Sequence, residues 1–164
     1  MDDNQNLSQT YLSFKVGDET YAIHTQYVIS ILALKPITKL PEAPAYVRGV
    51  INFRGSALPI FDMRIMLGLP ETESNMETSI ISTEIDNNDS TLKIGLLVDS
   101  LTGVFNISPK DILAAPSVSK HMKTSWIEGL VRTDETFTQM LKLDSLIREF
   151  DKEWMQNITN PIEL

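Results

Sequence analysis

Residues 52–55 read Asn-Phe-Arg-Gly and stand between two apolar runs, Tyr46-Val47-Arg48-Gly49-Val50-Ile51 and Ala57-Leu58-Pro59-Ile60-Phe61. Asn and Gly tolerate the positive φ of a tight hairpin, so residues 52–56 read as a turn, with strands over 46–52 and 57–61. Pro41 and Pro44 hold the approach extended. Pro59 offers no ladder donor, which predicts an edge strand or a bulge. Asp62 is placed to cap a short helix from Met63 that Gly68 ends. Met63, Met66 and Leu67 keep helical spacing and read as core. Arg54, at the tip, is either a solvated turn residue or a planar donor fork that braces the turn or meets a partner's carbonyls or carboxylates.

The rest of the chain repeats this grammar. Residues 1–10 read as a disordered tail. Residues 11–16 alternate, Gly17-Asp18 turns, and residues 20–23 return. His24-Thr25 begins one helical turn, and residues 29–34 form a strand. Residues 71–77 are an acidic loop without periodicity. Residues 79–85 and 91–98 make a second long hairpin, Asp99-Ser100 and Gly103 punctuate, and residues 104–107 form a short strand. Ser108-Pro109 reads as a helix start with Ser as cap. Residues 117–125 read as a polar loop. Strands follow over 126–131 and 137–143, then a helix capped by Asp144 with Leu146, Ile147, Phe150 and Trp154 on one face.

Tyr46-Val47-Arg48-Gly49-Val50 and Trp126-Ile127-Glu128-Gly129-Leu130 are alike, and each is followed by a hairpin and then an aspartate before a helix: Asp62 in one, Asp144 in the other. An earlier hairpin precedes each. Two copies of one five-strand plan are expected. Many short strands and few long helices point to small barrels.

Composition excludes several function classes. The chain of 164 residues has 14 basic and 22 acidic side chains and a net charge of −8, which disfavours nucleic-acid binding and docking on an anionic membrane. It has no cysteine, hence no disulfide, thiolate zinc site or thiol nucleophile. The amino terminus does not read as a signal peptide, and no apolar run is long enough to span a bilayer, so a cytoplasmic protein is the default. His24 and His121 are not in metal-ligand spacing, and Asp86 and Asp89 do not fit a calcium loop. Asp99 reads as a turn aspartate bonding its own backbone rather than a catalytic carboxylate. No phosphate-cradling loop is present. The expectation is a non-enzyme without cofactor or metal. An OB-like barrel for single-stranded nucleic acid or a small ligand is the competing class, but aromatics are only 7% and the basic residues are scattered.

In one register, Leu40-Pro41, Pro44 to Val50, Asn52 to Gly55 and Leu58 to Arg64 resemble the signature of the CheW-like chemotaxis coupling family. That signature runs Leu-Pro, Pro-x-Tyr-Val-x-Gly-Val, Asn-Leu-Arg-Gly, then Val-Ile-Pro-Val-x-Asp-Leu-Arg. Phe53 replaces the usual leucine. Leu97-Val98-Asp99 followed by Val104 also fits, as does Leu143-Asp144. The resemblance covers roughly residues 11–147. It implies an all-β fold of two side-by-side five-stranded SH3-like β-barrels with short helices and a C-terminal helix: one domain over 11–150, then a helix end and tail over 151–164. It implies a scaffold that couples the cytoplasmic tip of a chemoreceptor (a methyl-accepting chemotaxis protein) to the regulatory domain of a CheA-type histidine kinase, in a chemotaxis, twitching-motility or other array. The matching motif residues are Gly49, Asn52, Arg54, Gly55, Asp62, Asp99 and Gly129. The residues it implies at the receptor groove are Val28, Ser30, Ile31, Arg54 and Ile80. The family often carries a glutamate where Ser30 stands.

Overall fold

The computed structural model describes residues 8–87, 89–116 and 126–150. The expectations for residues 1–7, 117–125 and 151–164, including His121 and Trp154, lie outside the described residues. In chain order the elements are β1 (Gln9–Val16), β2 (Glu19–His24), a single 3-10 turn (Thr25–Tyr27), β3 (Val28–Ala33), β4 (Val47–Phe53), β5 (Ser56–Asp62) and α1 (Met63–Met66). Then come β6 (Ser79–Asn87), β7 (Ser90–Val98), β8 (Ser100–Ile107), β9 (Ile127–Thr133), β10 (Thr136–Leu141) and α2 (Leu143–Phe150). Five strands and a helix therefore occur twice.

The two copies assemble crosswise. One five-stranded sheet has the order β8-β1-β2-β10-β9, the other β3-β6-β7-β5-β4. Each combines the first hairpin of one copy with the last three strands of the other. The correspondence holds residue by residue. Ser82 lies opposite Ser30 and Gly95; Ser13 lies opposite Gly103 and Ala22. In both sheets the edge strand carries a register shift at the same place. Each sheet then closes on itself through one isolated bridge, Thr38 with Val50 and Leu113 with Leu130. Gly49 and Gly129 sit on those bridges. A Cβ on Gly49 would lie 2.1 Å from the Thr38 carbonyl oxygen, and one on Gly129 2.6 Å from that of Leu113. Both glycines are there because a second backbone crosses too close for any side chain.

Burial follows the period of two. Alternate residues face either a barrel's own interior or a core that the barrels share. Ile51, Leu58, Ile60, Ile80 and Leu97 fill one interior, and Tyr11, Ala22, Val131 and Met140 the other. Between the barrels lies the largest cluster, with Phe14, Ile23, Phe61, Met63, Ile81, Ile94, Leu96 and Leu146 among its members. Met63 and Met66 are core, as their spacing implies.

Several elements differ from the sequence reading. β1 begins at Gln9, inside the expected tail, because Gln9 pairs with Ile107. β8 runs through Gly103, whose φ of 147° fits beside the register shift rather than ending the strand. Residues Pro109–Asp111 form only a 3-10 turn, and Ser108 makes no side-chain cap. Pro59 is buried in an internal strand, not an edge; pairing with β7 starts only at Ile60, so no ladder bond on that side is lost. Asp144 lies in the first turn of α2, not before it, and its Oδ2 pairs with Arg148. The structural counterpart of Asp62 is Lys142: the amides of both bond back to the strand start, to the Tyr46 and Trp126 carbonyls.

Candidate partner-binding site

The hairpin of β4 and β5 closes through two residues, Arg54 and Gly55, with φ of 53° and 82°. Positive φ at both is the turn that matches strand twist. The Asn52 Oδ1 accepts the Gly55 amide at 3.0 Å, so Asn52 braces the tip. Arg54 makes no such brace. It lies exposed with its guanidinium 4.9 Å from the Phe53 ring centroid, and the Lys35 ammonium stands 5.7 Å from the same ring. That shared ring brings the segment after β3 against the hairpin tip. The counterpart of Arg54 in the other barrel is Asp134, with φ 54°. An aspartate is a common occupant of left-handed backbone and an arginine is not, so turn geometry does not account for Arg54.

β3 is an edge strand. Ile31 lies opposite Ile81, a member of the shared core, so its face is the margin of the inter-barrel core as it opens to solvent. Ile31 is 48% exposed, and Ile29, at the register shift, is equally so. Leu34 and Leu40, after β3, are also exposed. Val28 packs partly buried against the shared core. Ser30 and Ile80 are elsewhere: both face the barrel interior. Ser30 Oγ is buried without a hydrogen-bond partner, opposite buried Ser82. Ile80 is 0% exposed and part of the interior cluster, so it offers no surface and supports the β3 face from behind. Of the five expected groove residues, Val28 and Ile31 share a face, Arg54 lies at the hairpin tip, and Ser30 and Ile80 point away. Ile29 is not legible as an outward residue in the sequence, because in so aliphatic a run nothing local separates an outward residue from an inward one.

Two motif aspartates are structural. Asp62 is 2% exposed, accepts the Arg64 amide at 2.9 Å and caps α1. Burial pushes its carboxyl above the ordinary value, and the Arg64 amide and the Arg48 guanidinium pull it partly back. Asp99 does not bond its own backbone as expected. Its Oδ2 accepts the Gly17 amide at 2.7 Å and pairs with Arg64, clamping the β1–β2 turn of one barrel to the helix following the other. On the opposite barrel, the buried Tyr11 hydroxyl donates to Glu128 at 3.2 Å, and burial first, then that carboxylate, pushes it up to about 12. Among the described residues there is no cluster of His, Cys, Asp or Glu able to hold a metal.

Residues 10–151 match the family model described as a CheW-like domain. The chain belongs to the CheW-like family. It is 30% identical to "Chemotaxis protein CheW" of Rhizobium meliloti over 148 residues, 90% of this chain and 93% of that one. To "Chemotaxis protein CheW" of Bacillus subtilis it is 32% identical over 145 residues, 88% of each. The crystal structure titled "scaffolding protein TtCheW" from Thermoanaerobacter tengcongensis superposes with a TM-score of 0.74 at 28% identity, covering 85% of this chain and 92% of that one. The CheW-like fold of two five-stranded β-barrels is thus the fold of this chain, and its closing bridges explain why Gly49 and Gly129 are glycine. Among the described residues no helix is long and apolar enough to cross a membrane.

Proposed function

We propose that this CheW-like chain is a non-catalytic adaptor that couples a chemoreceptor's cytoplasmic tip to the regulatory domain of a CheA-type histidine kinase, in the cytoplasm at receptor arrays. The receptor's helices would dock on the inter-barrel face of β3. The single observation that carries this reading is the contrast between equivalent edges. At matching positions β3 has Ile29, Ile31 and Ala33, whereas β8 has Thr102, Val104 and Asn106. The fold accepts polar residues at two of these three places, Val104 being apolar and exposed on β8 as well, so the wholly apolar row on β3 serves something other than packing. Isoleucine side chains suit an apolar helix face, and Arg54, at the hairpin tip whose Phe53 ring Lys35 also meets, supplies a planar donor fork. Coupling would be geometric: the adaptor holds receptor and kinase in one assembly, and ligand shifts the balance among its states. No turnover is expected; ATP hydrolysis by the purified protein that a point substitution abolishes would overturn this.

The test is a calorimetric titration of wild type and Ile31→Asp with a receptor-tip fragment and, separately, with the kinase regulatory domain. Ile31 is half exposed, so the variant should fold with an unchanged melting temperature. Burying a charge against an apolar partner should weaken receptor binding at least tenfold, about 1.4 kcal/mol, and leave kinase binding intact. Wild-type receptor affinity in folded Ile31→Asp would overturn the reading.

A further inference from the structure

We propose that the Nε–Nη2 edge of Arg48 is a docking point for a carboxylate on an acidic segment of a partner protein, and that the neighbouring charge of Glu71 opposes that docking. Arg48 lies at the start of β4, six residues from the Arg54 tip and so about 20 Å along the strand from it. The site is therefore apart from the Arg54 tip, and it lies on β4, at the opposite end of the strand order from β3, so it does not rest on the adaptor reading. The guanidinium is held from inside: Nη1 donates to Asp62 Oδ2 at 3.1 Å, and that carboxylate is itself fixed by the Arg64 amide. The same Nη1 also meets Glu71 Oε1. Both carboxylates thus share one nitrogen. Nε and Nη2 have no acceptor among the described residues, although the side chain is only 21% exposed. An arginine whose position is fixed but whose Nε–Nη2 edge is unused is a bidentate carboxylate receptor lacking its ligand.

Glu71 is a poor permanent partner. Its side chain is 62% exposed and it begins a loop in which residues 71–77 are all exposed. A second tie, from Arg64 Nε to the Pro70 carbonyl at 2.8 Å, keeps the loop base nearby. Exposed monodentate pairs contribute little, so Glu71 on Nη1 leaves the Nε–Nη2 edge open, but its negative charge beside that edge opposes an incoming carboxylate. The fold does not require this arginine: the equivalent position of the other barrel is Glu128, and that of Asp62 is Lys142.

The experiment follows the Arg48 Nε–H resonance by NMR while a synthetic hexaglutamate peptide is added at constant ionic strength. In Glu71→Gln the resonance should shift and saturate at a peptide concentration at least threefold lower than in wild type. The Arg48 variants lack that resonance and are followed on the backbone amides of residues 47–49: Arg48→Lys keeps the charge beside Asp62, so it folds, but it lacks the fork and should lose that gain. Arg48→Met with Asp62→Asn removes both buried charges together and should not bind the peptide. Equal affinity in wild type and Glu71→Gln, or undiminished binding in either Arg48 variant, would overturn the proposal. An Nε–H resonance that ignores the peptide while others move would place the contact elsewhere and overturn it too.

Discussion

Arg54 carries its conformation as a cost. A non-glycine residue at φ 53° sits in the left-handed region, where an Asn or Gly is more comfortable. Arg54→Asn should therefore leave the melting temperature unchanged or raise it slightly, while removing the guanidinium that stacks on Phe53. If that guanidinium meets partner carbonyls or carboxylates, Arg54→Asn and Arg54→Ala should each lose about 1–3 kcal/mol of receptor binding, roughly tenfold to a hundredfold. Arg54→Lys should recover part of it. Calorimetric titration beside a thermal melt reads both quantities. Full affinity in a folded Arg54→Asn would reduce the arginine to a surface residue. Asp62 makes a second prediction at this scale. Its folded carboxyl titrates above the ordinary value of 3.8, chiefly because it is buried. The folded state thus holds its proton more tightly than the unfolded state does. Ionised Asp62 costs stability at every pH above the raised value, and that cost disappears as pH falls through the raised value to the ordinary one. Urea melts of wild type and Asp62→Asn between pH 7 and 4 should show the difference moving in favour of wild type toward acid. Movement the other way would mean that the Arg48 pairing outweighs the burial.

At the scale of elements, the turns were legible and the strand partners were not. Asn52 and Gly55 announce their hairpin because the backbone needs positive φ there, and that need is local. Asp62 announces the start of α1 for the same reason. Sequence alone shortens β8, because Asp99, Ser100 and Gly103 look like breaks. The structure uses them as a one-residue corner and a register shift on a strand whose partner is distant: Ser13 bonds to Gly103 across 90 residues. Family likeness implies a surface place for Ser30 and Ile80, but strand parity aims them inward. The acidic loop read as featureless is held at its ends, by Arg48 to Glu71 and Arg64 to Pro70, and by the Asn75–Thr78 turn. Removing only residues 72–74 leaves those ties in place, and shortening an exposed loop changes closure entropy by about half a kcal/mol. The melting temperature should move by about 2–4 °C at most for a chain of this length. A drop of tens of degrees would mean that the loop bears on the core.

The crossed assembly decides how the whole molecule folds. A chain cut in the loop at residues 72–74 yields one fragment with β1–β5 and another with β6–β10. Neither contains a complete barrel. Alone, the first leaves β3 without β6 and β5 without β7; the second leaves β8 without β1 and β10 without β2. The shared core, which takes Phe14 and Ile23 from one fragment and Ile81, Ile94 and Leu146 from the other, cannot form in either. Each fragment is also small enough that even a complete core would be marginal. Because the two copies are equivalent, two first fragments could in principle complete each other, with β1 standing where β6 stands. Side-chain volume opposes this. β1 would bring Tyr11 to the interior place of Ile80 and Phe14 to the place of Thr83, which is fully buried and donates its hydroxyl to the Ile94 carbonyl at 2.8 Å. Overpacking of that order costs roughly 1–3 kcal/mol per site. Each fragment alone should therefore show poorly dispersed amide signals and no cooperative melt, whereas an equimolar mixture should give native-like dispersion and one cooperative transition. A cooperative melt from residues 75–164 alone would mean that the crossed strands are dispensable. Folding of the first fragment as a homodimer would mean that the repeat still tolerates its own twin.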